Sequence, residues 1–151
     1  MSGSNTLGAT IKLEGEKEYR DAINKINSSL KVMASEMNKV TAEFSKNDKS
    51  TAALTAQSKI LSSQIEAQKG KVATLRGALE ESSQKYGEND KKTNTWRTSL
   101  NRAEAELAKM ENSLKDVNSQ MEKSKTPLDK LNTELSEQGE KLKSLQTQYK
   151  N

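Results

Sequence analysis

The 151 residues contain no cysteine and no histidine, only one proline, and few aromatic side chains. Without thiols and imidazoles there are no disulfides, no cysteine or histidine nucleophile, none of the usual zinc ligands and no histidine general base. Carboxylates could still do chemistry in a cleft. A helical seam is not expected to provide one, so no enzyme activity, catalytic residue, metal, cofactor or small-molecule ligand is expected. Apolar side chains are also scarce: 31% of residues are hydrophobic, whereas a globular domain carries about 45 to 50%. The mean hydropathy of −0.95 agrees. No stretch approaches the ~18 apolar residues of a membrane span, and the start lacks the apolar core of a signal peptide.

Charge of one sign is not concentrated anywhere. The 25 basic and 21 acidic residues leave a net charge of +4, spread thinly along the chain. Nucleic-acid binders gather their excess on one face, so a nucleic-acid partner is not favoured. Helix breakers are rare, and Ala, Glu, Lys, Gln, Leu and Met supply good helix propensity.

What the chain does have is a beat. From Tyr19 the apolar residues step alternately by four and three through Ile23, Ile26, Leu30, Met33, Met37, Val40 and Phe44. The same phase resumes at Leu54, Leu61, Ile65, Val72, Leu75, Leu79 and Tyr86. It returns at Trp96, Leu100, Ala103, Leu107, Met110, Leu114, Val117 and Met121, and finally at Leu128, Leu131, Leu135, Leu142, Leu145 and Tyr149. Taking Ile23 as an a position, 38 a and d places lie between Tyr19 and Tyr149, and 29 are apolar or aromatic. Chance at the chain's 31% hydrophobic content would fill about 12, so the 3.5-residue period predicts long coiled-coil helices in an all-α fold.

Polar interruptions near 46–49, 87–91 and 124–127 divide the chain into about four helices, expected over Glu16 to about Ser45, about Asp48 to Lys85, about Asp90 to Ser124, and Leu128 onward. The segment Phe44-Ser-Lys-Asn-Asp-Lys-Ser-Thr51 matches Tyr86-Gly-Glu-Asn-Asp-Lys-Lys-Thr93 at its aromatic, Asn-Asp-Lys and Thr positions, an internal repeat offset by 42 residues. Two structures fit these breaks. Asn47 or Asp48, and Asn89 or Asp90, could cap new helices after turns, with Gly87 ending the helix before. The chain would then fold into antiparallel hairpins. Alternatively the helix could run through as an elongated rod with polar layers, as the retained phase suggests. Pro127 must kink or restart the helix.

Ahead of the seam, Met1 to Gly8 is small and polar and is expected to be mobile. Ala9 to Glu14 alternates like a short strand ended by Gly15. The expected organisation is thus a flexible segment 1–15 with a short strand, followed by a helical region 16–151. Polar seam residues Ser58, Gln68, Ser82, Ser124 and Gln138 are expected to loosen the packing locally or to set its register.

Several of these segments together resemble the amino-terminal region of tail tape measure proteins from long-tailed phages and prophages of Gram-positive bacteria. They are Ala9-Thr-Ile-Lys-Leu-Glu-Gly, Glu18-Tyr-Arg-Asp-Ala-Ile, the two Asn-Asp-Lys breaks, Leu75-Arg-Gly-Ala-Leu and Leu100-Asn-Arg-Ala-Glu-Ala-Glu-Leu. The resemblance covers roughly residues 9–123. It implies a structural protein that lies in the tail tube lumen, sets tail length by its own length, is made in the bacterial cytoplasm, and meets tail tube and tail assembly proteins. An unbroken helix from Tyr19 to Tyr149 would measure about 200 Å. The chain stops in mid-pattern, so it is expected to be an amino-terminal piece of a longer protein that associates with itself through the seam. A generic coiled-coil adaptor, or an arm like those of chromosome-organising proteins, would carry the same seam.

Overall fold

A computed structural model describes residues 9–44, 50–124 and 127–150. It is all-α, with α1 over Glu16–Glu43, α2 over Thr51–Tyr86, α3 over Lys91–Lys123 and α4 over Pro127–Lys150. The first three helices form one unit. Helix α2 is the centre, with α1 and α3 each packed antiparallel against it.

The register of α2 against α3 is marked by polar pairs at its two ends. Ser82 lies 2.9 Å from Thr93, and Thr51 lies 3.3 Å from Ser124. Between them the apolar seam residues Leu54, Leu61, Ile65, Val72 and Leu75 of α2 and Trp96, Leu100, Ala103 and Leu107 of α3 are buried. Seam residues Leu79, Met110, Leu114, Val117 and Met121 are partly buried. The polar seam positions in α2 and α3 therefore meet partners across the crossing, which a loosened seam would not do. Ser58 donates to Asn118 at 3.2 Å, and buried Gln68 donates to the Ala103 carbonyl at 2.9 Å.

Helix α1 uses the seam residues for a different purpose. Tyr19 and Ile23 are buried, and Ile26, Leu30, Met33, Met37, Val40 and Phe44 are half-buried. Tyr19 and Ile23 join the apolar cluster that α2 and α3 share. On α2 the helix also meets a face of small residues: Ile26 approaches Gly70, and Tyr19 sits against Gly77, beside buried Ala73, Thr74 and Ala78. With apolar contacts on both flanks, α2 buries more residues than either neighbour.

The segment before α1 is a correction to the expected strand and to the expected freedom of residues 9–15. No strand occurs among the described residues. Ile11 and its neighbours are extended, but they lie along α2 instead of in a sheet. The Ile11 amide donates to the Ala73 carbonyl at 3.0 Å, and the Leu13 amide donates to the Tyr19 hydroxyl at 2.8 Å. The Gly15 amide donates to Glu81 at 3.1 Å. Close approach is possible because Gly77 has no Cβ; one built there would stand 1.8 Å from the Ile11 carbonyl oxygen. Alternation marks an extended backbone, but a helix carbonyl can serve as its partner in place of a strand.

The break between α2 and α3 is a turn, and the antiparallel packing of α1 on α2 favours a reversal over a continuous rod at the first break. Helix α2 ends at Gly87, whose φ of 98° is open to glycine at little cost. Helix α3 begins after Asp90, whose carboxylate accepts from the Lys92 amide at 2.8 Å. Asn89 therefore lies in the turn, not in a polar seam layer, and its carbonyl accepts from Asn94. Thr93 donates its hydroxyl hydrogen to the Gly87 carbonyl at 2.8 Å, which leaves Ser82 to donate to Thr93. At the first break, α1 stops at Glu43 and the cap of α2 is Ser50, which accepts from the Ala53 amide at 3.2 Å. Asn47 and Asp48 lie outside the described residues, as does Met1 to Gly8, and the capping role proposed for either of the pair falls to Ser50.

Pro127 opens α4, as its missing amide hydrogen allows at a first turn. Among the described residues, helix α4 touches none of the other three helices.

Candidate functional site

Two features offer a surface to another molecule. The first is a groove of about 390 Å³ where α1 and α3 diverge over α2, which corrects the expectation that a helical seam leaves no cleft. Ile23, Leu75, Trp96 and Ala103 form its apolar lining, with Arg20, Lys71, Lys92, Arg102, Glu16 and Glu106 among its charged residues. Trp96 is there as a packing residue: it is buried and belongs to the main apolar cluster. Of the cations, Arg20 is held by Glu16 at 2.7 Å and Lys92 lies 4.4 Å from the Tyr86 ring centre. The mixture of signs gives the groove no strong preference for an anion or a cation. Among the described residues no cluster of acidic side chains could hold a metal ion. On the exposed face of α1 the Lys17 ammonium pKa is raised, first by its hydrogen bond to Asp21 at 2.8 Å and then by that carboxylate's charge.

The second feature is α4. Its seam residues Leu131, Leu135, Leu142 and Leu145 are exposed, Leu135 to 63%, and Tyr149 reaches 87%. The Leu128 side chain lies outside the described residues. In the other three helices the same period is spent inside the unit; in α4 it forms an apolar stripe open to solvent. Burying a leucine is worth about 1.5 to 3 kcal/mol. Four open leucines along one helix therefore represent a large unspent driving force for association.

The seam residues thus fall into two groups. Those of α1, α2 and α3, from Tyr19 to Met121, hold the unit together. Those of α4 remain available. Tyr86, read as a seam residue, belongs to neither, being exposed at the end of α2 beside Lys85 and Lys92. The glycine, alanine and threonine face of α2 that receives α1 was not marked by any large side chain. Its signal in the sequence was the recurrence of small residues at Gly70, Ala73, Thr74, Gly77 and Ala78.

No family model, curated protein or solved structure matches this chain. None of the described helices is long and apolar enough to cross a membrane.

Proposed function

We propose that the chain is a structural assembly protein of the phage tail, akin to tape measure proteins, whose work is joining. The observation that carries the joining role is the open leucine stripe of α4, a surface made for another helix. The tail assignment rests on the resemblance of residues 9–123, above all the paired Asn-Asp-Lys segments.

The hairpins change how such a protein would measure length. Helix α2, with 36 residues, is about 54 Å long, and α1 and α3 run alongside it instead of adding to it. The three-helix unit would anchor or join. The test is to induce prophages in the source bacterium, purify the tail particles and search them by mass spectrometry for peptides of this chain. Recovery of its peptides in the purified tails, at a fixed small ratio to tube protein, is expected. Peptides confined to the particle-free fraction would contradict the tail role and leave the adaptor reading in its place.

A further inference from the structure

We infer that α4 pairs with α4 of a second copy, antiparallel, in a register centred on Gln138 and Leu135. The inference rests on the reading of the chain as an assembly protein and specifies the surface and direction of joining. Its template lies inside the molecule. Two heptads along each helix from the Ser82 and Thr93 pair, Gln68 of α2 lies across from Leu107 of α3. There the Gln68 amide nitrogen reaches Glu106, the residue before Leu107, at 3.4 Å as well as the Ala103 carbonyl. Lys71, three residues after Gln68, lines the same groove as Glu106.

Helix α4 carries both halves of that arrangement. Gln138 is followed three residues later by Lys141, as Gln68 is by Lys71. Leu135 is preceded by Glu134, as Leu107 is by Glu106. Two copies of α4 laid antiparallel with Gln138 across from Leu135 therefore repeat the α2 and α3 crossing twice, by symmetry. Glu134 of each copy comes beside Gln138 and Lys141 of the other. Leu131 then faces Leu142 of the second copy, and the stripe closes.

Charge favours the same arrangement. Asp129, Glu134, Glu137 and Glu140 balance Lys130, Lys141, Lys143 and Lys150, so two copies do not repel. In an antiparallel pair the positions flanking the seam meet as Glu134 with Lys141 on both sides. In a parallel pair those two would face Gly139 and Gln146, and both ion pairs would be lost.

The absence of cysteine makes the direction easy to read in the full chain. Leu131→Cys and Leu142→Cys variants are oxidised each alone and as an equimolar mixture. The expected result is a disulfide-linked heterodimer from the mixture and no linked dimer from either alone. Because cysteine weakens an apolar layer, sedimentation equilibrium of charge variants provides a second reading. Glu134→Lys should raise the dimer dissociation constant about tenfold, Lys141→Glu likewise, and the double exchange should return it to near the original value. Cross-linking of Leu131→Cys to itself, with no effect of the charge variants, would overturn the antiparallel pair while leaving an assembly protein. A chain that stays monomeric at every concentration would overturn both.

Discussion

Gly77 and Gly70 stand two turns apart on α2, and the difference between them shows what the small-residue face is for. A Cβ at Gly77 would meet the Ile11 carbonyl oxygen, backbone that cannot step aside, whereas at Gly70 the nearest atom is the Ile26 Cδ1 at 3.8 Å, an ordinary contact. Gly77→Ala should therefore destabilise the unit by about 1 to 3 kcal/mol as it forces the extended segment off α2. Gly70→Ala should stabilise it by about 0.5 to 1 kcal/mol through helix propensity. Denaturant midpoints give the two signs, and amide exchange at Ile11 and Leu13 should speed up in the first variant alone. Thr93, fully buried, is a second test. Thr93→Val keeps the shape but strips partners from Ser82 and the Gly87 carbonyl, costing about 1 to 3 kcal/mol. The large seam side chains were legible in the sequence because burial needs their bulk. The α1 docking face was harder to read because it works by lacking side chains.

At the scale of the element, the four helices follow from capping and breaking residues, yet identical heptads have opposite fates. In α2 and α3 the stripe is consumed within the hairpin; in α4 it is not. Nothing in the period itself distinguishes the two, since packing against a neighbour depends on whether the turn brings one within reach. The hairpin between α2 and α3 is explained by Gly87, Asp90 and Thr93 acting together, of which the sequence displays the first two plainly. The role of Thr93 needed its distance to the Gly87 carbonyl. Helix α4, with 24 residues, sits not far above the length at which isolated helices are marginal in water. At low protein concentration α4 should melt tens of degrees below the α1 to α3 unit, giving two steps in circular dichroism. Amides of residues 131–149 should exchange well before those around Leu61, Val72 and Leu100. A single cooperative transition with uniform protection would mean that α4 packs on the unit.

For the whole molecule the decisive matter is whether the chain folds back on itself or runs on as a rod. The retained heptad phase fits both, and only the turn chemistry and the α1 contacts with α2 separate them. Folding back concentrates the apolar seam into one unit and leaves one helix to join others, so assembly through α4 requires it. Asn24 and Thr95 are both exposed and line the same groove. Spin labels at cysteines placed at these two sites, measured by pulsed dipolar spectroscopy in the full chain, report the choice directly. The folded arrangement predicts a separation within about 25 Å, some two helix diameters, whereas a continuous rod would place them about 105 Å apart and contradict it.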